Sequence, residues 1–443
     1  MDVTIRGNIY NSVIVLVFII FIVGCAYENK AARRHIDLAR SLYDVETGWQ
    51  KHGRAAEAEL NTALKASPSS VEALTLRGNI YLERARCMES KWLRKAEHDF
   101  KIALNIDPQS PFAYIGLGDI YIRQGKYRDA EKQYLKANRL TPGIRKIKLR
   151  LGNVNLEQGK FVQAFRYYRE VLSENPGDTD AIVGLGNVRL EQRHYKDAVK
   201  YYMKAMKANP NHPYIHIGLG KAFMEMRKFE DAIPRFERVI ELAPDEVYTH
   251  FSEYAWVNLG RIYLEKREYD RAMECFSKAL ELNPESEHAL LGKAKVFLAK
   301  GQNIDSLIHV RKALEVDPIS EFGFIQLGEL QLLGGKTEEA RNQVSRALEI
   351  NPESEEAFYL LGRINLKDEK LNEAEASFEK AISLEPAYYP MPYLGLAVLY
   401  LEKEEKQKAR ENLQKALLIE PNLEKDIADN PEFQKLAELL ENR

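Results

Sequence analysis

The chain has 443 residues and a nearly balanced charge, with 64 Lys and Arg against 66 Asp and Glu and a formal net charge of −2. This balance provides no overall basic excess for nucleic-acid binding and no acidic excess typical of a disordered tail. Three cysteines are too few for a disulfide-stabilised fold. A chain of this length would hold roughly two to four globular domains, unless it is built from repeats.

The amino terminus has a weakly cationic leader followed by eleven apolar residues, VIVLVFIIFIV, at positions 13–23. A membrane-spanning helix needs about 20 such residues, so the pattern favours an export signal. The run ends in Ile22-Val23-Gly24-Cys25, which resembles the lipobox of bacterial lipoproteins. The resemblance implies cleavage before Cys25 and acylation of that residue, with several acyl chains giving a stable anchor. An uncleaved signal anchor with an incidental cysteine is the alternative, because Asp2 weakens the cationic leader.

Ala26 follows the cysteine. In enterobacteria-like species, a residue other than Asp at this place resembles the default outer-membrane sorting signal. We therefore expect a membrane-anchored lipoprotein of the bacterial cell envelope that faces the periplasm, in the outer rather than the inner membrane. Residues 1–24 are then the signal peptide, and residues 25–36 the acylated anchor segment.

Prolines recur at intervals that are mostly 34 residues, with two of 40, at positions 68, 108, 142, 176, 210, 244, 284, 318, 352, 386 and 421. Small residues, mostly alanine, stand twelve and five residues before each proline, and a bulky, mostly aromatic residue lies between them. A glycine follows most of the prolines by ten residues. The pattern predicts helical hairpins in which small residues permit close approach, the ring fills the gap and proline ends the second helix.

These columns resemble the tetratricopeptide repeat (TPR), a helix–turn–helix unit of 34 residues. One unit contains the whole pattern: Trp256, Leu259, Gly260, Tyr263, Ala272, Phe276, Ala279 and Pro284. The resemblance implies an all-α fold, an α-solenoid forming a right-handed TPR superhelix of about eleven helical hairpins. It covers residues 37–422, and residues 423–443 are predicted as a C-terminal capping helix over the last repeat.

Four units depart from the pattern, and the eighth does so with Ala294, Ser306 and Val310 at the Gly, Ala and aromatic positions. The first has Asp44 where the glycine belongs, which weakens the prediction of its first helix. The second and the seventh each carry six extra residues, between Gly78 and Ala96 and between Pro244 and Gly260. We expect the first insertion to lengthen a hairpin tip and the second to lengthen the start of a helix.

The sequence offers no convergent set of nucleophile, acid, base or metal ligands, so we expect no enzyme, no metal and no cofactor. His212 and His216 are four residues apart, but Pro213 lies between them. The GLG sequences at 116–118, 184–186 and 218–220 recur at the repeat period, which favours helix packing over phosphate binding.

In TPR proteins the first helix of each hairpin lines a concave groove that holds peptides or helices. On that resemblance the groove positions of the third to sixth units are Phe112, Ile115, Asp119, Ile122, Lys146, Leu149, Asn153, Val183, Asn187, Leu190, Tyr214, Ile217, Lys221 and Met224. Leu149 and Val183 stand where a carboxylate clamp requires lysine, so that clamp is excluded. An ordinary solenoid surface is the alternative for every one of these positions.

Charge varies along the chain: residues 51–150 hold 20 basic and 11 acidic residues, whereas residues 301–443 hold 17 basic and 28 acidic ones. The basic part includes the cluster Lys91, Trp92, Arg94 and Lys95. Because the predicted anchor is amino-terminal, this cluster is expected near the membrane and its anionic head groups. A solvated helical surface is the alternative.

These features together predict a lipid-anchored, non-catalytic scaffold that binds other proteins or peptides through its groove, attaches to the membrane at Cys25 and does not bind nucleic acid. Such a chain resembles pilotin-like factors for pilus or secretin assembly and the periplasmic TPR parts of polysaccharide-export machines. A periplasmic holding chaperone or regulatory peptide-binding protein is the alternative function.

Overall fold

The computed structural model describes residues 30–42, 48–85, 90–242, 249–384 and 389–420, and in addition residues 423, 424, 427, 433 and 436. Every regular element in these ranges is helical. The chain divides into two compact units, Met1–Arg235 and Phe236–Arg443. The helices pair into repeated hairpins, so the predicted all-α solenoid is confirmed.

The first unit contains α1 (residues 30–42), α2 (Gly48–Ala66), α3 (Val71–Arg84), α4 (Ser90–Ile106), α5 (Pro111–Arg123), α6 (Tyr127–Leu140), α7 (Arg145–Glu157), α8 (Phe161–Glu174), α9 (Thr179–Glu191), α10 (Tyr195–Ala208) and α11 (Pro213–Glu225). The units divide within α12 (Phe229–Leu242).

The second unit continues with α13 (Thr249–Glu265), α14 (Tyr269–Leu282), α15 (Glu287–Ala299), α16 (Asn303–Val316), α17 (Glu321–Leu333), α18 (Thr337–Ile350), α19 (Glu355–Lys367), α20 (Leu371–Leu384), α21 (Met391–Glu402) and α22 (Lys406–Ile419). Odd-numbered helices are the first helices of their hairpins, and even-numbered helices are the second.

Within each unit, a second helix packs both on its own first helix and on the first helix of the next hairpin. Successive first helices also contact one another, as α7 does with α9 and α17 with α19. The first helices therefore lie side by side and form one continuous face of each unit, which we call the first-helix face.

The aromatic column of the second helices fills the space between successive hairpins. Tyr168 is fully buried, and its ring lies between Gly152 of its own hairpin and Gly184 of the next. A Cβ atom added at Gly152 or Gly184 would lie 2.5 or 2.4 Å from Tyr168 Cε1. The interpretation of the GLG glycines as packing positions is confirmed, because the first glycine contacts the preceding ring and the second contacts the ring of its own hairpin.

Where the ring is missing, the next helix compensates for the lost volume. The aromatic position of α18 is Val344, and the residue opposite it on α19, where other repeats have glycine, is Leu360. Both residues are buried in the same hydrophobic cluster. Volume is thus conserved across the contact, as close packing requires.

Many first helices begin with a side-chain cap. Asp178 accepts a hydrogen bond from the Ala181 backbone N–H at 3.0 Å, and Ser286, Ser320 and Ser354 act in the same way. Such caps satisfy backbone donors that the helix itself leaves unpaired. They follow the repeat prolines by two residues and fix where each first helix starts.

The first hairpin differs from the prediction. Residues 30–42 form α1, so helix is already present in the segment 25–36 that was assigned to the anchor. The reason is burial: Ala32, Ile36 and Ala39 are at most 4% exposed and pack in one cluster with residues of α2 and α3. The described part of this helix reaches Leu42, and Asp44 lies outside the described residues.

The two insertions lengthen helices. The first helix α13 has 17 residues, whereas α15, α17 and α19 have 13 each. The second helix α4 also has 17 residues, whereas α6 and α8 have 14. Part of the extra sequence in the second hairpin therefore extends α4, and residues 86–89 of the tip lie outside the described residues.

The segment after α22 contributes apolar contacts to the last hairpin. Leu423, Ile427, Phe433 and Leu436 are buried in one cluster with residues of α21 and α22. The other residues of the predicted cap, the apolar run 13–23 and Cys25 lie outside the described part of the chain. Within the described ranges, no helix has both the length and the apolar character required to cross a bilayer.

The contact between the Tyr168 ring and its two glycines predicts how much stability is lost when one methyl group is added at a glycine. We expect Gly184→Ala to lower the free energy of unfolding by about 1–3 kcal/mol, because the new Cβ overlaps the buried Tyr168 ring. Chemical denaturation measures the change. Gly177→Ala is the control, since the nearest atom to its added Cβ lies at 3.6 Å, and we expect a change within about 0.5 kcal/mol. Equal stabilities for both variants would contradict the packing account.

Candidate protein-binding groove

The predicted groove residues of the first unit lie on α5, α7, α9 and α11, the helices of the first-helix face. Their exposure differs along that face, although they share the same repeat positions. The exposed residues are Phe112, Lys146, Asn153 and Tyr214. The half-buried residues are Asp119, Ile122, Leu149, Asn187, Ile217, Lys221 and Met224. The buried residues are Ile115, Val183 and Leu190. Phe112 and Tyr214 are more than half exposed and offer aromatic surface to a partner.

Three of these polar residues hold the second-helix tyrosines. Tyr134 donates a hydrogen bond to Asp119 Oδ1 at 2.6 Å, and Tyr168 donates to Asn153 Oδ1 at 2.7 Å. The Tyr202 hydroxyl donates to Asn187 in the same way at 2.6 Å. These acceptor oxygens satisfy buried hydroxyl groups, so the residues have a structural role on the first-helix face.

The pairs are separated by 15 residues, a signal that sequence reasoning missed. In three of the four hairpins whose ring is phenylalanine, the residue 15 positions earlier is basic (Lys221, Arg261 or Arg363), and in the fourth it is Ala85. Phenylalanine has no hydroxyl group, so no acceptor is needed at that position. The residue type therefore follows from the hydrogen-bonding capacity of the ring.

Arg150 replaces a packing glycine on α7 and joins one of these pairs. Its Nε lies 2.9 Å from Asp119 Oδ1, the same atom that accepts from Tyr134. Burial raises the pKa of Tyr134 far above its usual value, and the Asp119 carboxylate adds to the rise. The phenol therefore stays neutral and acts as a donor, while Arg150 balances the carboxylate charge.

A polar cluster links the amino-terminal ends of α7, α9 and α11. Arg145 Nη2 donates to Asp180 Oδ2 at 2.5 Å, and Arg145 Nη2 also donates to Asp178 Oδ1 at 3.0 Å. His212 Nε2 lies 3.6 Å from Asp180 Oδ1. These contacts join three successive first helices and fix their spacing at one edge of the first-helix face.

The second unit carries a cavity of about 210 Å³ on its first-helix face. Its apolar wall consists of Phe322, Ile325, Tyr359, Leu360, Tyr389 and Met391. The rings of Tyr359 and Tyr389 meet edge to face, with centroids 5.8 Å apart and planes at 79°. Phe322 is 44% exposed and so presents much of its ring to solvent.

Gln326 and four charged residues complete the lining of this cavity, and the charged residues are Lys295, Glu329, Glu356 and Arg363. Arg363 Nη1 donates to Glu329 Oε1 at 3.1 Å, and the Arg363 side chain is only 11% exposed. The balanced charges and the apolar wall suit a partner segment that combines an apolar side chain with a polar backbone. The repeat contained a signal for this site. Phe322 follows Pro318 by four residues, as Phe112 follows Pro108. Tyr359 follows Pro352 by seven residues, as Ile115 follows Pro108.

Comparison with known families gives the same repeat. Tetratricopeptide repeat models match residues 115–179, 155–216, 189–251, 253–286, 325–389 and 392–423, which together make up more than half of the chain. The chain is a tetratricopeptide repeat protein. Its TPR hairpins form a scaffold of the type that mediates protein–protein interactions.

A TPR repeat-containing protein from Methanocaldococcus jannaschii is 34% identical to this TPR protein over 105 residues. The match covers 24% of this chain and 16% of that relative, so the chain spans about a sixth of the relative's length.

Two solved structures are also similar to this TPR protein. Human IFIT1, determined as a dimer with m7Gppp-AAAA, gives a TM-score of 0.49 at 16% identity over 79% of this chain and 90% of that chain. A chain of the Cut9–Hcn1 hetero-tetramer of the APC/C gives 0.45 at 14% identity over 85% and 86%.

Cys275 is a free cysteine in the described part of this TPR protein. Cys275 is buried, and burial raises the pKa of its thiol to about 12, which leaves the thiol protonated and unreactive. In the part of the chain that the structure describes, no cluster of His, Cys, Asp and Glu has the arrangement of a metal site. Cys87 lies outside that part.

The predicted basic cluster lies at the start of α4. Lys91, Arg94 and Lys95 are exposed, whereas Trp92 is only 9% exposed. Trp92 is covered because it stacks on Tyr81, with ring centroids 5.6 Å apart, and because Arg84 lies 3.5 Å above its ring. The three cationic side chains are therefore accessible to solvent, whereas the Trp92 ring is buried beneath them.

The polar cluster of the first unit predicts a dependence of stability on pH. The His212 and Arg145 contacts lower the pKa of Asp180 to about 2, below its ordinary value of 3.8. The stabilisation is therefore present above about pH 4 and is lost as pH falls towards 2. Because Asp180 is 47% exposed, we expect Asp180→Asn to cost only about 0.5–1 kcal/mol near neutral pH.

Thermal melting of the wild type and Asp180→Asn at about pH 6 and about pH 2.5 checks this dependence, and the difference should shrink at the lower pH. Asp197→Asn, which removes a solvent-exposed pair with Lys200, is the control and should change the melting temperature less. An equal difference at both pH values would show that Asp180 acts without its charge.

Proposed function

We propose that this TPR protein is a lipid-anchored, non-catalytic scaffold of a bacterial cell envelope that holds partner proteins on its first-helix face. The observation that carries the binding role is the aromatic cavity of the second unit, between first helices and open to a partner. Its volume of about 210 Å³ accommodates one large apolar side chain. Phe112 and Tyr214 provide further exposed rings on the same kind of face in the first unit.

The partner segment suited to this face is an extended peptide or a helix with at least one aromatic or aliphatic anchor residue. Aromatic pockets with partly buried ion pairs at their base concentrate binding energy at a few contacts. The paired Arg363 and Glu329 supply polar groups without excess charge of either sign. We infer that the partner is bound mainly by its apolar anchor and oriented by these polar groups.

The anchor part of the proposal rests on residues 13–25 of the sequence. The short apolar run and the lipobox-like Ile22-Val23-Gly24-Cys25 support acylation at Cys25 and a location on the periplasmic side of the outer membrane. A long repeat array at that place would suit the assembly of an export, pilus or secretion complex, because each hairpin adds binding surface.

The anchor predicts a covalent modification. We expect the protein to carry acyl chains and to require detergent for extraction, and Cys25→Ala to lose both properties. Mass spectrometry of the purified protein and membrane fractionation measure them. Cys87→Ala is the control and should remain acylated and membrane-bound. Retention of Cys25→Ala in the membrane without an acyl group would instead support an uncleaved signal anchor.

The groove predicts which side chains hold the partner. We expect Phe322→Ala to weaken co-purification of the partner about tenfold or more, because truncating an aromatic anchor in a pocket costs about 2 kcal/mol. Ile308→Ala is the matched control, since Ile308 is 45% exposed, as Phe322 is 44%, but lies on the second helix α16. Both variants should melt at the wild-type temperature.

Quantitative mass spectrometry of the proteins that co-purify with each variant distinguishes the outcomes. A defined set that is lost only with Phe322→Ala supports the scaffold. Weak binding of many unrelated proteins would support a holding chaperone instead. Equal effects of the two variants would contradict a role for the first-helix face.

A further inference from the structure

A larger cavity, of about 530 Å³, lies in the first unit against the hairpin of α3 and α4. Its lining is predominantly cationic: Lys91, Arg94 and Lys95 come from α4 and Arg77 from α3, and His98 of α4 also lines it. No comparison assigns a role to this cavity. It is separate from the aromatic cavity of the second unit.

The acidic residue of this lining is already neutralised. Asp99 is 2% exposed and accepts two hydrogen bonds from Arg77, one from Nε at 2.7 Å and one from Nη2 at 2.8 Å. Arg77 also donates from Nη1 to Asn61 at 2.7 Å. Asp99 therefore fixes Arg77 in the wall, and its charge is not available to balance the other cations.

Lys91, Arg94 and Lys95 have no ion pair with any described residue. Two of them lie against aromatic rings, with Lys91 Nζ 5.5 Å and Lys95 Nζ 4.5 Å from the centroid of Trp92. The ring is held in place by Tyr81 and Arg84, so it keeps the two ammonium groups near each other. With no counter-charge paired to them among the described residues, cations kept together repel one another, and a bound anion would remove that cost.

At the same place some repeats have the opposite charge, and in the seventh and eleventh hairpins the basic residues Arg271 and Lys408 are paired with Glu268 and Glu405. Lys95 immediately precedes the packing residue Ala96, and the corresponding residues of the third and fifth hairpins are Asp129 and Asp197. Those aspartates pair with Lys132 and Lys200 at 3.0 and 2.8 Å. The second hairpin thus gives up a local stabilising contact and gains a cationic cavity.

We propose that this cavity binds a phosphate-bearing anion with at least two negative charges, either a soluble phosphate compound or a phospholipid head group. Lysine supplies point charges and Arg94 a planar pair of donors, the combination that phosphate recognition uses. The volume of about 530 Å³ exceeds that of a single phosphate group, so a ligand with a second anionic or polar part also fits. The proposal does not depend on the protein-binding role of the first-helix face.

The test uses calorimetric titration of the full chain in a non-ionic detergent at about 0.15 M salt. Two probes separate the sources: inorganic pyrophosphate, and dihexanoyl phosphatidylglycerol below its micelle concentration. We expect at least one of them to bind. Combined Lys91→Ala, Arg94→Ala and Lys95→Ala should weaken that binding at least about tenfold, since the variant removes the three cationic donors of charge-assisted hydrogen bonds to phosphate.

Combined Lys132→Ala, Lys200→Ala and Lys278→Ala is the control, because it removes the same number of positive charges from exposed, paired lysines elsewhere. Lys95→Asp provides a second cavity variant that copies the residue of the third and fifth hairpins and should fold. Without ligand, the cavity variants should melt no lower than the wild type, because they relieve repulsion.

Binding of pyrophosphate alone supports a soluble phosphate ligand, and binding of the lipid alone supports a head group. Binding of both supports a site that recognises the shared phosphate chemistry. Absence of binding by both probes overturns the proposal. An equal loss in the control variant also overturns it, because the attraction would then be a general effect of net charge.

Discussion

The packing of one aromatic ring between two glycines determines the spacing of the hairpins. Tyr168 fills the space between α7 and α9 so completely that no Cβ fits at Gly152 or Gly184. Burying a ring of this size contributes several kcal/mol, far more than any exposed ion pair in the solenoid. The contact repeats with Phe100, Tyr202, Phe276 and Phe378, and each ring joins its own hairpin to the next.

The same contact between ring and glycine determines which side chains the first-helix face presents to a partner. Because each first helix buries its glycines against rings, its opposite side is turned away from the core and remains open to a partner. In the first unit, much of the polar surface there is committed to structure: Asp119 and Asn153 hold tyrosine hydroxyl groups. In the second unit, the ring of α20 is Phe378, which has no hydroxyl group and needs no acceptor. The position 15 residues earlier is Arg363, which pairs with Glu329 in the lining of the aromatic cavity. A change in one core ring thus alters the chemistry of the binding face.

The repeat prolines, the alanine columns and the GLG sequences predicted the hairpins, because these contacts recur and act over short distances. The start of α1 was missed, since Asp44 breaks the column and the burial of Ala32 and Ile36 depends on α2 and α3. The two cavities were also missed as cavities. Their residues were visible in the sequence, but the pairing of Arg77 with Asp99, which makes that carboxylate unavailable to Lys91 and Lys95, depends on side-chain geometry that no repeat pattern contains.

Site-specific photocrosslinking in intact cells of the source organism tests the central claim that a partner is held on the first-helix face. A photoreactive phenylalanine is placed at Phe322 in one protein and at Ile304 of the second helix α16 in another. Ile304 is 78% exposed and Phe322 is 44% exposed, so accessibility alone favours Ile304. The account predicts a defined crosslinked protein from position 322 and none from position 304. The same products from both positions, or products from position 304 alone, would contradict it.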